Sequence, residues 1–218
     1  MALLIPSIFS IGQRFILQTM VEDKMNKMRE SLRLMSLTRI SYTMSFIFIQ
    51  GFFAVIAGLI LMAGFMGDNT MFPDDPYGNC VKFGGAVILF ALTQIPYCMA
   101  LSTLFSDSKL ANQIGGLLLL IPELIFLWLA SQQDNSSKVM YALYWLPVMP
   151  ACTIFTSLSL NSSVIGFQMI NKGVLNMPLA WTFLILNLPF WIMVYLYLDA
   201  IMPSEYGISK HPCFCFKK

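Results

Sequence analysis

Few residues in this chain are of a kind that does chemistry, and their spacing excludes more than it permits. The single histidine, His211, stands beside Cys213 and Cys215 in the run His-Pro-Cys-Phe-Cys. A structural zinc site draws on two ligand pairs with roughly two to five residues between the members of each, which this cluster does not provide. Its thiols are read as unmodified, with reversible palmitoylation as the alternative. No G-x-x-x-x-G-K-S/T phosphate loop, dinucleotide fingerprint or H-E-x-x-H helix occurs, so no local pattern for binding nucleotide or catalytic zinc is present. Catalytic residues and metal ligands are therefore expected to be absent. Cys80 and Cys152 could pair if their Cα atoms come within about 7 Å. What remains is one carboxyl group in apolar surroundings, Glu123, and one charge-dense stretch, Val21 to Arg39, VEDKMNKMRESLRLMSLTR.

These features must be positioned by a chain that is mostly apolar. Hydrophobic residues make up 57% and charged ones 11%, against about a quarter charged in soluble domains. The expectation is an all-α integral membrane protein. Its 218 residues have room for about five transmembrane helices with short connections, and none for a soluble catalytic domain besides. The formal net charge of +2 says little about partners, because the distribution carries the information. Membrane lipids are the expected surroundings, and no nucleic-acid partner is expected.

Residues 2–20 are apolar but short, interrupted by Pro6, Gly12 and Arg14. They read as the end of a span whose start lies upstream, or as a short span in a complete small protein. Residues 41–67 carry no charge and are long enough to cross a core that needs about twenty residues. Asp68 to Lys82, DNTMFPDDPYGNCVK, reads as a polar, turn-rich loop. Residues 83–105 cross back with Pro96 inside, and 110–132 cross again after a short turn. The apolar run 139–155 contains Pro147 and Pro150 beside Tyr141, Tyr144 and Trp145, which predicts an exoplasmic re-entrant hairpin. Residues 179–198, with Asn187 and Pro189, form the last span, and 199–218 are a polar, basic tail.

Within this frame, Val21 to Arg39 predicts one amphipathic helix. Val21, Met25, Met28, Leu32 and Met35 recur at spacings of four and three, which places them on one stripe. Asp23 with Lys27, and Glu30 with Arg33, can pair across one turn. The helix either lies on the lipid headgroups or transmits motion between a soluble partner and the spans. Glu123 follows Pro122 within a span, and a charge at that depth costs several kcal/mol. It faces a translocation path or a polar helix contact, or else it meets water where Pro122 breaks the helix. Gly115 and Gly116 point to close helix packing.

Charge bias sets the orientation. Placing residues 21–39, Arg14, Lys109 and the tail on one side collects ten of the thirteen Lys and Arg there, which makes that side cytoplasmic. Only Lys82, Lys138 and Lys172 fall outside. The two glycosylation triplets, at Asn135 and Asn161, lie in the expected exoplasmic segment.

Three stretches are similar to one family. Glu22 to Leu37, EDKMNKMRESLRLMSL, resembles the E-K-x-x-K-(L/M)-K-E-x-(M/L)-(K/R)-x-M-G-L helix of A-subfamily ABC transporters. Leu101 to Ser106, LSTLFS, with Leu110 to Gly116, LANQIGG, resembles a later span of that family and its adjoining turn. Tyr197 to Ile208, YLDAIMPSEYGI, resembles the segment that joins the last span to the nucleotide-binding domain. Ser36 and Ser204 stand where the family favours glycine.

The resemblance implies an ABC-2 type permease half, with residues 21–39 as the cytoplasmic coupling helix. Lys24, Lys27, Met28, Arg29, Glu30, Leu32, Arg33 and Met35 would then contact a nucleotide-binding domain, and Glu123 would stand near the translocation path. Residues 199–218 would be the linker toward that domain, which the chain does not include. No cofactor is expected in this chain itself, since ATP and magnesium would act through the missing domain. The implied partners are that domain and a second transmembrane half, and the implied substrate is lipid or sterol. Two rival readings are a standalone polytopic channel or scaffold, which the lack of a polar ring disfavours, and an intramembrane enzyme, for which Glu123 alone is available.

Overall fold

The computed structural model describes residues 4–26, 28, 31, 34–36, 38–65, 76–131, 136–160 and 176–202. Among these the regular structure is helical throughout. Helix α1 is Leu4–Met25, α2 is Arg39–Phe65 and α3 is Pro76–Ser102. A turn of helix at Ser108–Leu110 and a π-helical segment at Ala111–Gly115 lead into α4, Gly116–Ser131. Then come α5, Ser136–Ala142, a 3-10 turn at Leu143–Trp145, α6, Val148–Leu160, and α7, Met177–Ile201.

Local chemistry sets where these helices start. The Thr38 hydroxyl accepts the N–H of Ser41 at 3.2 Å, which makes it the N-cap of α2. Asn176 caps α7 by accepting the N–H of Leu179 at 3.3 Å, with Pro178 in the first turn. Pro76 starts α3, so Tyr77 to Lys82 are helical and the loop expected to reach Lys82 stops short of them. The reason is that proline's fixed φ suits a first helical position as well as a turn. Two other boundaries also differ from the sequence expectation. The helix begun in residues 2–20 runs on through Met25 without a break at Val21, and α4 passes through Pro122 without breaking.

Among the described residues, four segments are long and apolar enough to cross a membrane: Ser41–Gly64, Tyr77–Ser102, Ser108–Leu129 and Met177–Ile201. α1 stands apart from them because Arg14, Glu22, Asp23 and Lys24 lie along it. The central element is α3, 72% of whose most apolar window is buried, against 17% for α2. Its neighbours are α1, α2, α6 and α7. Leu92 Cδ2 stands 3.1 Å from where a Cβ on Gly51 would be, and Ile88 crowds Gly58 in the same way, so small residues let α2 approach α3 closely. The outer face of α2, with Phe48, Phe52, Phe53 and Ile60, is exposed. Over the stretch 139–155, expected as a re-entrant hairpin, lie two short helices, α5 and α6, joined by the 3-10 turn. Phe155 of α6 lies between Phe83 and Phe90 of α3, with centroids 5.5 and 6.2 Å away.

Candidate functional site

Polar groups gather along α1, which presents one stripe to α3 and another to α4. On the first stripe, Phe9 meets Phe90 edge-on with ring centroids 6.0 Å apart. Met20 shares a buried cluster with Met99 and Tyr195. Lys24 Nζ donates to the carbonyls of Thr103 and Phe105 at 3.3 and 3.2 Å. Residue numbers rise together along the two helices, so α1 and α3 run parallel. On the second stripe, Ser7 Oγ donates to Glu123 Oε2 at 2.7 Å, Arg14 lies over Gly116 and Leu17 over Gly115. Here the numbers run in opposite senses, and α1 and α4 are antiparallel.

The end of α1 near Met25 is fastened to three elements. Lys24 supplies a cation and N–H donors where the chain leaves the C-terminus of α3, whose final carbonyls lack intrahelical partners and carry the negative end of the helix dipole. Asp23 accepts from the Tyr42 hydroxyl of α2 at 2.9 Å. Met25 Sδ accepts the N–H of Ser108 at 3.3 Å. Val21 is fully buried with Leu17 and Ala111. Beyond this anchorage the apolar side chains turn outward: Met28 is 50% exposed, Met35 76% and Leu34 90%. Of the expected coupling residues, Lys24, Met28 and Met35 are thus placed, while Lys27, Arg29, Glu30, Leu32 and Arg33 lie outside the described residues. So do Asn135, Asn161 and the His211, Cys213, Cys215 cluster.

Glu123 is 5% exposed and held by Ser7, so in this conformation it makes a polar helix contact. Six residues separate it from Leu129, about 9 Å of helix. Arg14, grouped by charge bias with the cytoplasmic residues, instead stands ten residues above Lys24, about 15 Å along α1. Gly115 and Gly116 serve close packing, since Leu17 and Arg14 occupy the space that side chains there would need.

Sequence reading alone did not single out Gln13 and Gln94. Both are buried, 5% and 2% exposed, and Gln13 Nε2 and both polar atoms of the Gln94 amide have no hydrogen-bond partner among the described residues. The available signal was a polar side chain inside an apolar helix, which is rare without a purpose. The hairpin is better satisfied. Asn187 Nδ2 donates to the Tyr144 carbonyl and Trp191 Nε1 to the Trp145 carbonyl, both at 2.9 Å. Cys80, Cys98 and Cys152 are free thiols. Among the described residues, no group of His, Cys, Asp and Glu is arranged to hold a metal ion.

Comparison with known proteins gives this arrangement a context. Residues 1–198 match the ABC-2 family transporter protein domain. Over 224 residues the chain is 24% identical to ABC transporter A family member 9 of Dictyostelium discoideum, covering 97% of this chain and 25% of that protein. It is 26% identical over 227 residues to A family member 7 of the same organism, again covering 25% of the relative. A family member 2 is 23% identical over 212 residues, which are 12% of its length. The chain therefore spans a quarter or less of these curated relatives.

Proposed function

The chain belongs to the ABC-2 family of transporters and is a multi-pass integral membrane protein, and from that premise we propose that it forms a membrane-spanning part of an A-subfamily transporter that moves lipid or another hydrophobic substrate across or out of the bilayer. The driving force comes from a nucleotide-binding domain that binds ATP and magnesium, and a second transmembrane half completes the pathway. Residues 21–39 couple the two parts: Lys24 fastens them to the turn after α3, and Lys27, Met28, Arg29, Glu30, Leu32, Arg33 and Met35 are the contact set.

The observation that carries this reading is the two-ended build of the segment. Asp23, Lys24 and Met25 are fastened to α2, α3 and the Ser108 turn, while Met28 and Met35 stand exposed beyond them. A segment fixed to the spans at one end, with apolar side chains free for a groove at the other, can carry a displacement inward. A headgroup anchor would depend on basic charge and overall apolarity, and hardly on their arrangement. Exchanging Arg29 and Glu30 leaves composition and net charge unchanged and so separates the two. In the transporter reconstituted with its nucleotide-binding domain, the exchange is expected to leave insertion and ATP binding intact and to lower substrate moved per ATP hydrolysed. An unchanged ratio would return the segment to the role of a surface anchor.

A further inference from the structure

The buried amides of Gln13 and Gln94 stand at one level of the α1–α3 interface. Each lies four residues, about one helical turn, past the Phe9–Phe90 contact. Below them come the Met20–Met99 cluster and then Lys24 on two carbonyls of the turn after α3. The two helices are thus pinned above by an aromatic pair and below by a cation, with unpaired amide groups between. A buried donor or acceptor without a partner is costly, and it regains its hydrogen bonds when water reaches it. This level therefore resists separation less than the contacts above and below it.

The α7–hairpin contact is built the other way. Asn187 and Trp191 each give an N–H to a hairpin carbonyl, although Asn187 Oδ1 has no partner. Trp145 also packs on Phe183 and Phe190 with centroids 5.4 and 4.7 Å away. Opening that contact would expose aromatic surface and break paired groups.

We propose that the Gln13–Gln94 level is a hydration site at which α1 parts from α3, and that Lys24 is the latch that keeps it closed. The latch lies at the start of the segment read above as the coupling element, and the inference rests on that reading only for what releases it. Displacing the segment beyond Met25 would draw Lys24 from the Thr103 and Phe105 carbonyls, and water would enter where the amides accept it. α1 would keep its grip on α4 through Ser7 and Glu123, and α7 would keep the hairpin.

The test needs neither nucleotide nor transport. With all five native cysteines replaced by alanine, Gln94→Cys and Asn187→Cys are each made with and without Lys24→Met. The proteins are placed in phosphatidylcholine nanodiscs and modified with a charged, water-soluble thiol reagent. Modification at position 94 is expected to rise about tenfold when the latch is removed, the scale of losing a hydrogen bond to a charged group, while position 187 stays inert in both backgrounds. An unchanged rate at 94, or a parallel rise at 187, overturns the proposal. A second measurement avoids the cysteine-free background. In the otherwise native chain, Gln94→Leu is expected to raise the thermal midpoint and Asn187→Leu to lower it, and a fall for both would equally overturn the assignment. Failure here leaves the transport reading untouched, because that reading is judged by substrate moved per ATP.

Discussion

Ser36 shows how one residue can mark a functional turn. Its φ of 66° lies in the left-handed region, which costs an L-residue about 1–2 kcal/mol and glycine very little. Glycine, which the resemblance led one to expect here, is the residue that such a backbone favours. Ser36 lies two residues before Thr38, the cap of α2. Ser36→Gly is expected to stabilise the protein by up to about 1 kcal/mol, the relief of strain being partly offset by glycine's greater freedom when unfolded. Ser36→Val should destabilise it, since a branched Cβ makes positive φ a genuine outlier. Thermal unfolding of the two variants in nanodiscs checks the opposite signs, and a loss in both would show that the side chain, rather than the backbone, matters there.

At the scale of elements, what could be read from sequence depended on whether the signal was local. The span in α2 is an uninterrupted apolar run, and its place needs no partner to be known. The break between α5 and α6 falls in an apolar stretch whose prolines and aromatics are local signals too. The α1 boundary was not legible, because charge begins at Glu22 while the helix, fastened by Tyr42, Thr103 and Ser108, continues to Met25. The polar seam was not legible either. Gln13, Gln94 and Ser7 are ordinary residues until the registers of α1 against α3 and α4 are known. For Glu123 the depth was readable, but Ser7, its partner 116 positions away, was not. The glycines of α1 and of the π-helical segment show the same dependence on packing. Nothing lies within 4 Å of a Cβ built on Gly12, whereas a Cβ on Gly115 would run into Leu17, itself fully buried. Gly12→Ala is accordingly expected to be neutral or stabilising by up to about 1 kcal/mol through helix propensity. Gly115→Ala should cost about 1–3 kcal/mol by overpacking, and the difference in thermal midpoint between them measures the α1–α4 contact.

At the scale of the molecule, the directions of the helices and the placement of charge point to one topology. α1 and α3 run parallel, and α4 runs antiparallel to α1. The ends at Met25, Ser102 and Ser108 meet on one side, where Lys24 and Met25 bond to residues of the turn after α3. The hairpin α5–α6 follows the other end of α4. Lys24 and Lys109 belong to the first side, and with the four further basic residues of the sequence 27–39 the positive-inside rule predicts a cytoplasmic location for it. The helix ends at Phe65 and Pro76, at Ser131 and Ser136, and at Leu160 and Met177 then fall on the opposite side, and the stretches between them in the sequence include Asn135 and Asn161. The inner position of Arg14 weakens the count by one residue without changing its sign, since its charge is carried along α1 against Gly116. Translation into microsomes is expected to give a glycan at Asn161, the triplet set in the longer of the two native connections, and at a sequon introduced within 66–75. A sequon introduced at Asn26 should remain bare, because it directly follows the residues fastened to the cytoplasmic turn. A glycan at Asn26 together with none at Asn161 would reverse the molecule. It would also place Lys24 and the exposed Met28 and Met35 on the side away from any ATP-driven partner, and the coupling role would fall with the topology.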